Sequence, residues 1–123
     1  MDQTFGSYLR NLRLERGLTL RGLAVELEIS PVYMSNIETG RRPAPAQDKL
    51  DRLINVLKLN RNETAALLDL AAKSKQCRVS ADLPGYIMDR DIVREALRLA
   101  KEVDATDEEW QEFINNLMKH RQE

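Results

Sequence analysis

The side chains best suited to engage a polar surface cluster between Thr19 and Arg42. Asn36 carries a carboxamide, which donates and accepts hydrogen bonds in one plane. Thr19, Ser30 and Ser35 add hydroxyls, Tyr33 a phenol, and Arg41-Arg42 two adjacent guanidiniums. Val32 offers a small apolar surface among them, behind Pro31. These groups can hydrogen-bond base edges and hold phosphate; they do not make or break covalent bonds. Other reactive residue types are sparse. Cys77 is the one cysteine, with no second thiol to resolve it, and reads as an inert linker thiol. His120 is the one histidine and has no neighbouring ligands at metal-site spacing. Asp107-Glu108-Glu109 reads as favourable charge at a helix start rather than an acid–base pair. No glycine-rich phosphate loop is present. An enzyme, a cofactor and a bound metal are therefore not expected.

The elements that must position these groups are helices. Phe5, Leu9 and Leu12 form one stripe, so a first helix is expected over about Phe5–Arg16, stopped by Gly17. Thr19 caps a second helix that buries Leu23, Ala24 and Leu27. Ser30-Pro31 is a strong start signal, serine at the cap and proline at the first helical position. The third helix runs through Glu38 and ends at Gly40, and Arg41-Arg42-Pro43-Ala44-Pro45 must be a loop. A fourth helix covers about Gln47–Leu57, with Leu50, Leu53, Ile54 and Leu57 on one face. Asn60 with Glu63 forms a capping box for a fifth, which buries Leu67, Leu68 and Ala71.

Periodicity breaks over Lys73–Tyr86, where Pro84-Gly85 reads as a turn. A sixth helix follows over about Asp91–Val103, with Ile92, Ala96, Leu99 and Val103 in line. Thr106 with Glu109 caps a seventh, which aligns Trp110, Phe113, Ile114, Leu117 and Met118. The expected organisation is all-α. A five-helix domain spans residues 1–75, a linker 76–90, and a two-helix extension 91–123 for dimerisation or partner binding.

Composition agrees. Hydrophobic residues make up 42%, charged 32% and aromatic only 5%, which allows a packed helical core. The net charge of −1 conceals an asymmetry: residues 1–78 carry +4 and residues 79–123 carry −5. A basic front and an acidic back imply two jobs. No apolar run approaches the ~20 residues that span a bilayer, and no secretory leader opens the sequence. With a lone cysteine, the expectation is a cytoplasmic protein without membrane contact.

Residues 5–71 resemble the lambda-repressor/Cro-type helix-turn-helix family, the xenobiotic-response-element class of bacterial and phage regulators. The resemblance rests on Leu9, Leu12-Arg13, Gly17-Leu18-Thr19, Leu23-Ala24, Leu27, Ile29-Ser30, Met34-Ser35, Ile37-Glu38, Gly40 and Arg42. It implies a lambda-repressor-like domain whose third helix enters the major groove of duplex DNA. Pro31, Val32, Tyr33 and Asn36 would face the bases, with Asn36 placed to bond an adenine edge at two points, and Ser30 at the cap would belong to the same DNA-binding set. Arg41 and Arg42 would hold phosphate, Ser35 backbone or phosphate, and Thr19 phosphate from the start of the second helix. The resemblance also implies a buried ion pair between Arg13 and Glu38. Two positions depart from it. Leu20 stands where the family has a phosphate-binding glutamine. Glu28 stands where the turn has glycine, at a cost of roughly 1–2 kcal/mol if the backbone is left-handed. Few long polar side chains face outward, so DNA shape is expected to share in recognition.

The function so implied is a sequence-specific transcriptional regulator, a dimeric repressor of a bacterial, phage or mobile-element operon acting on an inverted repeat. A rival is an antitoxin that binds a toxin protein through the extension and represses its own operon. The stripe Trp110, Phe113, Ile114, Leu117 and Met118 has three open uses: packing on the amino-terminal domain, pairing with a second copy, or docking a different protein.

Overall fold

A computed structural model describes residues 3–75 and 79–121. Cys77 lies outside the described residues. Among the described residues the chain forms eight α-helices and no strand. It divides into two compact units, Met1–Pro84 and Gly85–Glu123.

The first unit holds α1 (Phe5–Glu15), α2 (Leu20–Glu26), α3 (Pro31–Glu38), α4 (Gln47–Leu57) and α5 (Arg61–Lys73). Their starts are set by local hydrogen bonds. Thr4 and Ser7 form a reciprocal capping box on α1, Thr19 Oγ1 accepts from the Gly22 amide at 2.9 Å, and Ser30 Oγ accepts from Tyr33 at 3.1 Å. Asn60 and Glu63 cap α5 reciprocally. Each such cap contributes about 1 kcal/mol. Gly17 ends α1 in the left-handed region, at φ +68, with the Leu18 amide closing back onto the Arg13 carbonyl at 3.1 Å. Between α2 and α3 it is Glu28 that takes the left-handed conformation, at φ 58.

The five helices enclose one core, in which Leu9, Leu23, Leu27, Met34, Ile37, Leu53, Leu57 and Leu67 are fully buried. Burying each such side chain contributes about 1.5–3 kcal/mol before chain entropy is subtracted. Ile54, expected on the buried face of α4, is half-buried and packs on the edge of this core. Arg16 ties three helices. From the end of α1 its Nε donates to the Leu57 carbonyl at the end of α4, and its Nη2 reaches Glu63 of α5 at 2.9 Å.

In the second unit α7 (Asp91–Glu102) and α8 (Asp107–Arg121) form the expected pair. Thr106 and Glu109 make the expected capping box, each amide bonding the other side chain at 3.2 Å. The first turn of α8 holds Asp107, Glu108 and Glu109, and its last turn holds Lys119, His120 and Arg121, so both ends complement the helix dipole. One expectation needs correction. Pro84-Gly85 does not make a turn: a short helix, α6 (Pro84–Asp89), occupies part of the expected linker. Proline is well suited to a first helical position, and Arg94 of α7 donates to the Ile87 and Met88 carbonyls at the end of α6. Arg90 also lies over the Tyr86 ring at 5.4 Å. No residue of α6, α7 or α8 is buried.

Glu63 generates a prediction on acid stability. Its carboxyl sits below the ordinary 4.5, chiefly because it accepts the Asn60 amide and then because Arg16 is beside it. A lowered folded value stabilises the fold above the ordinary value and loses that contribution as pH falls toward the folded one. The difference in urea midpoint between the native protein and Glu63→Gln should be constant near neutrality. It should shrink toward zero on acidification below 4.5.

Candidate nucleic-acid interface

The eight residues of α3 split into two faces. Met34, Ile37 and Glu38 point into the core. On the other side Val32 is 71% and Tyr33 43% exposed, while Pro31, Ser35 and Asn36 are half-buried. A helix whose buried residues lie at i, i+3 and i+4 leaves a continuous outer stripe. The candidate residues of α3 therefore share one accessible surface.

Ser30 and Thr19 are both exposed helix caps. In each, the hydroxyl oxygen already accepts a backbone amide, so the hydroxyl proton remains available to an outside acceptor such as phosphate. The first turn of α3, like those of α1, α2 and α6, contains no acidic residue, whereas α4, α5, α7 and α8 each carry at least one there. The partial positive charge at the start of α3 is thus left uncompensated, which favours an external anion.

Arg41 and Arg42 are exposed and make no ion pair among the described residues. Their loop is nonetheless held. The Arg42 amide donates to the Asn36 carbonyl at 3.1 Å, and the Ala44 amide donates to Ser74 Oγ at the end of α5, also 3.1 Å. The two guanidiniums therefore stand beside the C-terminal end of α3 on an anchored backbone.

The mounting of α3 is the ion pair. Arg13 Nε donates to Glu38 Oε2 at 2.7 Å and Nη2 to Oε1 at 3.0 Å. Nη1 donates to the Leu18 carbonyl at 3.0 Å. One guanidinium thus joins α1, the start of the connection to α2, and the end of α3. The hydrogen bonds to Glu38 raise the Arg13 pKa further above its ordinary value, against the opposing effect of burial. All buried side-chain polar atoms among the described residues have partners.

Leu20, where the family's glutamine would be, is half-buried and packs against the core. The sequence reading passed over its neighbour Arg21. This residue is exposed in the first turn of α2, beside Thr19, and makes no ion pair among the described residues. The available signal was a base where the helix dipole favours an acid.

The stripe expected on α8 is accessible: Trp110 is 36% exposed, Phe113 52%, Ile114 48%, Leu117 47% and Met118 43%. Trp110 and Phe113 meet edge to face at 6.2 Å. On α7, Ile92, Leu99 and Val103 are exposed as well. Among the described residues no helix is long and apolar enough to cross a membrane.

The ion pair yields a stability prediction. Glu38→Ala leaves a buried guanidinium without its counter-charge and should cost about 3–5 kcal/mol in urea denaturation. The double replacement Arg13→Met/Glu38→Leu removes both charges together and should cost clearly less than Glu38→Ala alone.

Comparison with known proteins places this geometry in a family. Residues 4–67 match the family described as a helix-turn-helix domain. An uncharacterized HTH-type transcriptional regulator, RghRB of Bacillus subtilis (strain 168), is 44% identical over 55 residues, which are 45% of this chain and 40% of that protein. The HTH-type transcriptional repressor RghR of the same organism is 39% identical over 57 residues, 46% of this chain and 42% of that one. The chain thus spans about two fifths of the length of the curated relatives it matches. Among solved structures, the clp gene regulator ClgR from C. glutamicum is 32% identical, covering 60% of this chain and 91% of that one, with a TM-score of 0.45. The two curated relatives align over less than half of this chain, but the family match covers every residue from Thr4 through α3 to Leu67. The chain belongs to the helix-turn-helix family, in its Cro/lambda-repressor-like branch.

Proposed function

We propose that this chain is a sequence-specific DNA-binding transcriptional regulator that works as a dimeric repressor in the cytoplasm. One observation carries the reading: the outward stripe of α3 is mounted through Arg13–Glu38 and flanked by the exposed Arg41 and Arg42, which make no ion pair among the described residues. In this reading α3 lies in the major groove. Asn36 bonds an adenine edge, Val32 meets a thymine methyl, and Tyr33 lies along the groove wall beside Pro31. Ser30, Ser35, Thr19, Arg21, Arg41 and Arg42 contact the sugar-phosphate backbone and set register. Repression is steric, the bound protein covering the operator.

A single eight-residue reading helix supplies few base contacts, so a dimer is part of the proposal. Two copies of α3 about 34 Å apart would read the halves of an inverted repeat. The exposed stripe of α8 supports pairing with a second copy, since large apolar side chains in register on one helix are the usual material of such an interface. The toxin-binding alternative has no support among the relatives, which are named as regulators and a repressor.

Selection of duplexes from a random pool tests the reading: enrichment of an inverted repeat is expected, and failure to enrich any sequence overturns it. On the enriched duplex, Asn36→Ala should cost about 1–3 kcal/mol and relax preference at one base position of each half-site. Arg42→Ala should weaken all duplexes alike and lower the slope of log affinity against log salt by about 0.9. For the interface, Phe113→Glu/Ile114→Glu should shift the protein from dimer to monomer in sedimentation at micromolar concentration.

A further inference from the structure

Gly6 lies within the first turn of α1, where glycine is a poor helix former. The reason lies across the interface with α3. A Cβ at this position would sit 2.4 Å from the carbonyl oxygens of both Ile37 and Glu38, and 2.8 Å from the Glu38 carbonyl carbon. These are main-chain atoms of the last turn of α3, so no side-chain rotation relieves the clash. Gly6 and Arg13 are seven residues apart, about two turns along one face of α1. Arg13 grips the Glu38 side chain, and Gly6 admits the Glu38 main chain. The last turn of α3 is therefore held at two points.

We infer that Gly6 is a positioning residue for base reading, its missing side chain setting the depth and tilt at which α3 presents Val32, Tyr33 and Asn36. The inference rests on the reading of α3 as the base-contacting helix. Ordinary contact distance begins at 3.4 Å, so a methyl group at Gly6 displaces the end of α3 by about 1 Å. Over a helix ~12 Å long this is a tilt of roughly 5°. Asn36 sits half a turn from the displaced end and moves with it. A bidentate carboxamide–base contact lies in a window of about 0.5 Å and does not survive such a shift. The long flexible side chains of Arg41 and Arg42 follow a phosphate through the same displacement. Base selectivity is lost while general duplex affinity is kept.

The test uses the full chain, the duplex enriched by the native protein, and a scrambled duplex of equal length and composition. The measured quantity is the ratio of the two affinities. Gly6→Ala should lower that ratio about tenfold and leave both the affinity for the scrambled duplex and its salt slope unchanged. Leu68→Ala, in the buried face of α5, serves as the stability control and should lower the melting temperature without moving the ratio. Because Gly6→Ala also strains the fold, it is measured both in the native background and in the Lys58→Gly background. Lys58 caps α4 at φ 53, and glycine relieves that left-handed residue. A ratio unchanged in Gly6→Ala, an equal fall of the ratio in Leu68→Ala, or failure to fold in both backgrounds overturns the inference. Absence of any preference in the native protein overturns the proposed function together with it.

Discussion

The guanidinium of Arg13, buried against the carboxylate of Glu38, constrains everything around it. Little of either side chain reaches solvent, so each charge needs its counter-charge inside the protein. That requirement fixes the distance between α1 and α3, because the two side chains meet in a bidentate arrangement. It also fixes the connection after α1, whose Leu18 carbonyl takes up a further guanidinium proton. Apolar packing alone tolerates sliding, since Leu9, Met34 and Ile37 would accept many nearby arrangements. The ion pair and the close approach at Gly6 do not. They turn a generic helical core into one orientation of α3 relative to α1.

Electrostatics divides the chain along the same lines. In the second unit the starts of α7 and α8 are acidic and the end of α8 is basic, so these dipoles are answered within the protein. The start of α3 has no acid in its first turn, as is true of α1 and α2, and just past its end stand two arginines that make no ion pair among the described residues. What sets α3 apart is the combination of that start with the two exposed arginines beyond its end, on the side that the proposed function turns toward an anionic partner. The second unit has the opposite economy. Its charges are well placed along each helix, yet no residue of α6, α7 or α8 is buried. Helices of this length owe most of their stability to packing of an apolar face, and these keep that face accessible.

Much of the fold was legible because it depends on near neighbours. A serine or threonine cap bonds an amide three residues on, as Thr19, Ser30 and Thr106 do. A stripe such as Leu50, Leu53 and Leu57 needs only the helical period to share a face. The left-handed turn at Glu28 was foreseen from the family pattern and occurs at φ 58. The Arg13–Glu38 pair was likewise legible only through that resemblance, since nothing local links residues so far apart. What was missed has no local mark. The α6 helix looked like a turn because Pro84-Gly85 is usually one; the side chain of Arg94, from the next helix, closes its open end. Arg21 and Gly6 were each visible as a residue poorly suited to its helical position, but the reason for each lies outside its own helix.

Sequence alone determined the helix starts and stops, the apolar faces, the sites available for hydrogen bonding, and the sparsity of catalytic residue types. These follow from covalent proximity and side-chain chemistry. Tertiary structure decided which distant groups meet: the main chain of Glu38 against Gly6, the Leu57 carbonyl and Glu63 against Arg16, and the Ala44 amide against Ser74. Such contacts link residues that lie far apart along the chain. They exist only once packing has brought the chain back on itself, so no local pattern encodes their geometry.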